Sequence, residues 1–212
     1  MKKLQLLFAV FLTMCSTSIF AQTIDKQNAA VSFFWVDLNE GLGVMKNKSL
    51  YDSIYSCVTS AVIHNAEYSF KPVGSLKDKV AYNVLGYPMG SGKKAAKSGV
   101  ANTYVKFMIQ IAPVGIFTGG QKTVSVGGVG VGQHKTKAKI KVKIDATVYD
   151  ANGEKVKEVS EFAESAEEIE IIQDLVVIGS VTQRTFEQEI GKDAGFTGLI
   201  KDAALKIANA LK

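Results

Sequence analysis

Hydrophobic and polar positions alternate most regularly over residues 135–149. Every odd position from Lys135 to Lys143 is lysine, whereas most of the even positions are apolar. A period of two residues is typical of a β-strand with one buried face. Residues 150–153, Asp-Ala-Asn-Gly, tolerate a tight turn, and 154–162 can return beside the strand. The pattern predicts a long β-hairpin with a row of lysines on one face, partly neutralised by glutamates of the returning strand.

Three further segments have the composition of strands. Residues 29–36 are aromatic and β-branched and too short for a helix, and 103–112 alternate between apolar and polar positions. A short strand is expected over 68–73, and the polar segment 39–48 is predicted to be a loop.

Two segments have the apolar spacing of amphipathic helices. A helix is predicted over 49–65, opening at Ser49, and a C-terminal helix is predicted to open at Thr197. A second Ser-x-x-Asp start at Ser75 predicts a smaller helix to about residue 85, with 86–99 as a loop. The C-terminal helix has a wide apolar stripe that must dock on the sheet: Leu199, Ile200, Ala203, Ala204, Ile207, Ala208 and Leu211.

Two segments leave alternatives open. Residues 113–133 are rich in glycine, valine and threonine and suit a long hairpin tip, a mobile loop or strands with few side-chain contacts. Within 164–195, residues 166–178 fit an amphipathic helix, whereas 175–178 alone fit a buried strand.

Taken in order, these elements predict an α+β fold of layered α/β type. It would have a mixed sheet with a long antiparallel β-hairpin, amphipathic helices packed on one face, and the C-terminal helix docked. The expected organisation is a single domain over 22–212 with a glycine-rich excursion at about 113–135.

The N-terminus has the pattern of a secretory signal peptide over residues 1–21. Lys2 and Lys3 precede a short apolar run, and a small residue, Ala21, marks the expected cleavage site. An alternative is lipidation at Cys15, although Met14 is larger than the residue that normally precedes such a cysteine. The chain is therefore expected to be exported, and to be periplasmic or associated with the outer membrane.

Composition narrows the classes of partner and the sources of stability. Cleavage after Ala21 leaves Cys57 as the only cysteine, so an intramolecular disulfide is excluded and a packed core must stabilise about 190 residues. The formal charge of +5 includes Lys2 and Lys3, and a charge this mild in an exported chain does not favour nucleic acid.

Two glycine-rich segments superficially resemble nucleotide-binding loops. The segment 86–94 has five residues rather than four between Gly86 and Gly92, and Lys94 replaces the metal-binding Ser or Thr of a P-loop. In the run 127–132, Gly128 and Gly130 have the spacing of the first two glycines of a dinucleotide-binding site, but the third glycine of that motif does not follow three residues after Gly130. No cofactor is expected, and a flexible or closely packed β segment is the simpler interpretation of 127–132.

Residues that could bind a metal ion or act as a nucleophile are not clustered in the sequence either. The two histidines, His64 and His134, are far apart in sequence, and Cys57 falls on the apolar face of the first predicted helix. Asp37, with Asn39 and Glu40, follows the first strand, where α/β folds tend to place ligands. We predict no catalytic residue and no metal site.

The element order over about 29–211 resembles the periplasmic proteins related to the curli secretion channel and to the lipoprotein activators of penicillin-binding proteins. The resemblance rests on the signal peptide, the buried first strand, the helix opening at Ser49, residues 102–105, the long hairpin and the final helix. It implies a non-catalytic protein that binds other envelope proteins or oligomerises. Those relatives are lipoproteins, and the poor lipidation box at Cys15 departs from them.

We therefore predict a non-enzymatic exported envelope protein that acts through protein–protein interaction or assembly, with another envelope protein or itself as partner. The alternative is a membrane-associated oligomer or pore component that uses the glycine-rich hairpin. The candidate interaction residues are Lys135, Lys137, Lys139, Lys141, Lys143, Gly127, Gly128, Gly130 and Gly132.

Overall fold

The computed structural model describes the backbone of residues 24–38, 48–126, 129–178, 181–185 and 194–212, and side chains outside 115–136 and 170–194. The helices are α1 (Lys48–Ala66), α2 (Gly92–Ala96) and α3 (Ala194–Ala210), with a 3-10 turn at Val73–Leu76. The strands are β1 (Ala29–Leu38), β2 (Thr103–Val126), β3 (Val129–Tyr149), β4 (Lys155–Glu164), β5 (Ile169–Ile178) and β6 (Val181–Thr185).

The strands form one mixed six-stranded sheet. Its order is β1-β2-β3-β5-β6, and β4 pairs with the part of β3 that β5 leaves free. Only β1 and β2 are parallel, and all the other pairs are antiparallel. This arrangement confirms the predicted α+β class, the long antiparallel hairpin and the docked C-terminal helix.

The core lies between one face of the sheet and the helices α1 and α3, and we call this face the core face. Alternate strand residues such as Val105, Phe107, Val142 and Ile144 are fully buried there. The whole predicted stripe of α3 is buried against them, together with Phe196. Burial of apolar surface at roughly 25 cal/mol per Å² is the main stabilising contribution of this layer.

A smaller cluster covers one end of the opposite face. The 3-10 turn and α2 pack Leu76, Ala95 and Ala96 against Ala30 and Tyr104. Gly92, the first residue of α2, lies directly against the ring of Tyr149, where a Cβ would overlap the ring carbons. Gly90 and Gly92 therefore serve close packing, whereas Gly86 has open space around it and a positive φ. Ser91 caps α2 by accepting a hydrogen bond from Lys94 N.

Strand β1 is tied down on the side away from β2. Its Val36 N–H donates to Tyr51 Oη of α1 at 2.8 Å, and Phe34 N–H donates to the carbonyl of Pro88. Ala29 and Phe70 form an isolated parallel bridge on the same side. These contacts satisfy backbone groups that an exposed edge strand would leave open.

Three predictions between residues 68 and 99 are wrong. Residues 68–73 make only the single bridge to Ala29, because Pro72 has no N–H with which to continue a ladder. The helix expected from Ser75 to 85 is reduced to the 3-10 turn, since Leu76 and Val80 are its only well-buried apolar residues. The loop expected over 86–99 contains the short helix α2.

The remaining predicted boundaries are close to the observed ones. Helix α1 begins at Lys48 and α3 at Ala194, so Ser49 and Thr197 lie inside the helices and do not cap them. Residues 169–178 form strand β5, which excludes the helix considered for 166–178. The signal peptide, its boundary at residue 21 and the loop at 39–47 lie outside the described residues.

The glycine-rich excursion is a strand pair. β2 continues fifteen residues beyond Ile111, which is its last residue to pair with β1. The outer part of β2 pairs with β3 from Thr118↔Lys137 to Val126↔Val129. We call the outer sheet, made of 112–126 of β2, 129–138 of β3, β5 and β6, the extension.

Candidate interaction surface

The predicted row of lysines lies on the sheet face opposite α1 and α3. Even-numbered residues of β3 from Ala138 to Val148 are buried in the core, so the intervening odd-numbered residues lie on the other face. Lys137 and Lys139 are exposed, and Lys141 and Lys143 are half-buried. This placement confirms the alternation predicted for the strand.

The register brings aromatic and apolar residues of β1 and β2 to the same face. Trp35 pairs with Met108, and Met108 pairs with Asp145 of β3. Phe33 pairs with Lys106 in the neighbouring row. We define the lysine face by these and their neighbours on the open part of the sheet: Phe33, Trp35, Lys106, Met108, Val114, Lys139, Lys141, Lys143 and Phe162.

Two ammonium groups of the lysine face lie over aromatic rings. Lys141 Nζ is 4.1 Å from the ring centroid of Phe162, and Lys106 Nζ is 5.1 Å from that of Phe33. Lys206 of α3 approaches Phe162 at 5.8 Å. Such contacts hold cations at defined positions while leaving them charged.

Carboxylates neutralise the lysine face less than the sequence suggests. Lys143 pairs with Asp145 on its own strand at 2.9 Å. On the returning strand β4, Glu161 lies opposite Ile144, and Glu158 forms an ion pair with Lys155 of its own strand. Glu164 is the only glutamate of β4 that lies opposite a lysine of β3, namely Lys141. Within the described side chains, Lys106 and Lys139 have no ion-pair partner. The expected neutralisation by the returning strand is therefore largely wrong, because it depended on a register that the sequence does not fix.

Two of the four candidate glycines, Gly130 and Gly132, belong to the extension. Gly130 lies between Ser125 of β2 and Val177 of β5, and Gly132 lies between Thr123 and Leu175. Gly127, Gly128 and the side chain of Lys135 lie outside the described residues. Gly130 and Gly132 are thus interior strand positions, so the structure brings them into one sheet with the lysines but into its outer part.

The other residues weighed from the sequence are dispersed. Cys57 is half-buried on α1, where burial raises the pKa of its thiol, and His64 is exposed in the last turn of the same helix. Asp37 is exposed at the end of β1. Cys15, Asn39, Glu40 and the side chain of His134 fall outside the described residues. No group of three His, Cys, Asp or Glu side chains suited to a metal ion occurs in the part of the chain that the structure describes.

An acidic cleft lies where β4 leads into β5, next to the first turns of α3. Glu164, Glu167, Glu168 and Asp202 line it together with Lys137.

The lysines of the lysine face were predictable from the alternation of the sequence alone. Trp35, Phe33 and Phe162 were not, because strand order brings them to the same face.

Helices of the described ranges are all too short or too polar to cross a bilayer. No family model and no curated protein matches the sequence.

Solved structures that are similar to the chain over most of its length include the following three. A homolog of neuraminyllactose-binding hemagglutinin from Helicobacter pylori is 6% identical with a TM-score of 0.40, covering 91% of this chain and 89% of that chain. A minor lipoprotein from Acinetobacter baumannii is 8% identical with a TM-score of 0.29, covering 88% and 92%. A lipoprotein from Neisseria meningitidis is 12% identical with a TM-score of 0.33, covering 85% and 96%. Two of these three are thus bacterial lipoproteins, and the resemblance to curli-channel and penicillin-binding-protein activator relatives stays a prediction.

Proposed function

We propose that the chain is a non-catalytic exported envelope protein that assembles with other protein chains through its extension. The observation that carries the proposal is the pair of strand edges there. None of the described strands pairs with β2 beyond Ile111 on the side of β1, or with β6 on the side away from β5. Unpaired strand edges present rows of N–H and C=O groups to another chain.

The direction of the strands makes the two edges complementary. Neighbouring strands of the extension are all antiparallel, in the order β2-β3-β5-β6, so β6 runs opposite to β2. The β6 edge of one copy and the β2 edge of the next can therefore continue an antiparallel sheet. Such a head-to-tail contact builds a closed ring or a filament, depending on the rotation between copies.

The test is photo-crosslinking in the envelope of the producing cell. A photoreactive residue at Lys122, on the outer part of β2, should form protein adducts, whereas the same residue at Lys201 on α3 should form few. Absence of adducts at position 122, or equal adduct yields at positions 122 and 201, would contradict the proposal.

Proline substitutions locate the contact on the backbone. With the photoreactive residue kept at 122, the prolines are placed at the two preceding positions. Alternate N–H groups of an antiparallel strand point to opposite sides, so of Gly120→Pro and Gln121→Pro one removes a bond to β3 and the other removes an outward donor. The variant that keeps the parent's melting temperature should be the one that loses the adducts. If both variants crosslink like the parent, the strand edge is not the contact.

The second candidate function is membrane association of the extension. It is favoured by one observation: Val124 pairs with Val131 and Val126 pairs with Val129, and β5 adds Val176 and Ile178 beside the two β3 valines. A double variant, Val124→Asn with Val131→Asn, should reduce flotation with liposomes relative to Thr123→Asn. Equal flotation of the two variants and the parent would remove this candidate.

A further inference from the structure

We propose that the lysine face binds an extended acidic segment of a partner protein. This surface is the sheet face beside α2, whereas the proposed assembly uses the backbone edges of the extension. The partner segment would carry carboxylates at alternate positions and small or apolar side chains between them.

The first argument is the exposed apolar surface. Trp35 is 36% exposed, Val114 38% and Phe162 50%, and Met108 lies half-buried next to Trp35. No helix among the described residues covers this part of the sheet. Aromatic residues and methionine are enriched in protein interfaces, and here they lie among charged residues of the same face.

The second argument is charge. The lysine face carries lysines at 106, 139, 141 and 143 against the carboxylates Asp37, Asp145 and Glu164. Of these carboxylates, Asp145 is already paired with Lys143, and Glu164 lies opposite Lys141, so Lys106 and Lys139 remain without an ion pair among the described side chains. Unpaired ammonium groups beside apolar surface favour an acidic partner, whose carboxylates would be partly desolvated on docking.

The third argument is spacing. Lysines at every second residue of β3 recur at about 6.8 Å along the strand, since a strand rises about 3.4 Å per residue. An extended segment with carboxylates at alternate positions has the same repeat, so several ion pairs can form in one register. Lys141, held over Phe162, is placed in advance for such a pair.

A lipid surface fits these positions less well. Trp35 and Met108 lie on the sheet beside Lys106 of β2 and the lysines of β3. A planar bilayer that meets the ammonium groups would stay above the indole, whereas a single segment can lie on the sheet beside the lysine row. Interfacial membrane sites instead place their apolar residues outermost.

A second copy of this chain also fits less well. Its acidic cleft combines Glu164 of β4, Glu167 and Glu168 of the connection, and Asp202 of α3. These carboxylates come from separate elements and lack the two-residue repeat of the lysine row.

Binding can be measured by the fluorescence of Trp35, because it is the only tryptophan in the chain. The probe is a twelve-residue peptide that alternates glutamate with valine and threonine, titrated against the full chain in low salt. We expect a saturable blue shift of Trp35 emission and protection from acrylamide, both weakened in 0.5 M NaCl. The same peptide with lysine in place of glutamate should give no shift.

Charge variants place the peptide on the face. Lys139→Glu with Lys141→Glu should raise the dissociation constant at least tenfold, whereas Lys201→Glu on α3 should leave it unchanged. Lys139→Arg with Lys141→Arg should retain binding, which separates loss of charge from loss of folding. Melting temperatures check that each variant is folded.

Four outcomes would overturn the proposal. The acidic peptide produces no shift; the lysine peptide binds equally; vesicles containing phosphatidylglycerol shift Trp35 while the acidic peptide does not; or the emission shifts with protein concentration alone and Lys139→Glu abolishes that shift. The third outcome assigns the face to lipid, and the fourth assigns it to a second copy.

Discussion

At the scale of single residues, two fully buried tyrosines differ in what their hydroxyl groups do. Tyr51 Oη accepts a hydrogen bond from Val36 N–H and joins α1 to the edge of β1. Tyr68 Oη is buried without a hydrogen-bond partner among the described residues. Burial raises the pKa of Tyr68 to about 12, so this hydroxyl stays neutral across the physiological range.

Tyr51→Phe should lower the free energy of unfolding by about 1–3 kcal/mol, because it leaves a buried N–H unsatisfied. Tyr68→Phe is the matched control and should be neutral or slightly stabilising, because it removes a buried hydroxyl that makes no bond. Chemical denaturation of both variants measures the difference. A Tyr68→Phe variant as unstable as Tyr51→Phe would contradict this account.

Two glycines in helices should respond oppositely to alanine. A Cβ at Gly92 overlaps the ring of Tyr149, so Gly92→Ala should destabilise the fold by about 1–3 kcal/mol through overpacking. Gly198 in α3 has open space around its Cα, and Gly198→Ala should stabilise by about 0.5–1 kcal/mol because glycine costs more backbone entropy. Thermal unfolding of the pair tests this, and loss of stability in both would show that α3 is packed differently.

At the scale of elements, α3 contributes to the core through one face only. Ile207 is fully buried, whereas Leu205 on the same helix is 43% exposed. Ile207→Ala should cost about 2–5 kcal/mol and Leu205→Ala about 0.5 kcal/mol or less, as measured by urea denaturation. Similar costs for the two variants would mean that α3 does not dock as described.

Elements with strong local periodicity were predictable from the sequence. The alternation over 135–149 indicates a strand and the apolar stripe of α3 indicates a helix. In both cases the local pattern is sufficient, and contacts with other elements are not needed to decide. β5 was ambiguous, because Ile169, Ile171, Ile172 and Leu175 satisfy both a helical and a strand pattern. Its place beside β3 decides for a strand.

The candidate surface divides in the same way. The lysine row follows from local alternation, but the aromatic residues beside it come from β1 and β4, and their register with β3 is set by long-range pairing. The prediction of a helix from Ser75 was wrong for a related reason. A capping residue does not stabilise a helix that has no buried apolar stripe.

At the scale of the whole molecule, export is the prediction on which the choice of partners depends. The basic start and short apolar run of residues 1–21 predict that the mature chain begins at Gln22. Intact-mass measurement after cell fractionation should find this N-terminus, and enlarging Ala21 to tryptophan should block cleavage. An acylated chain beginning at Cys15 would instead show a lipid-anchored protein.

Strand β3 also limits how this protein can change in length. It pairs with β4 up to Lys141 and with β5 from Ala138 outward, and Ser165 bonds both backbone groups of Ile140 where the partner changes. One residue added within β3 would exchange the two faces of every position beyond it. Viable relatives should therefore vary the extension in steps of two residues, or at the connections around 127–128 and 179–180, and engineered insertions should follow the same rule.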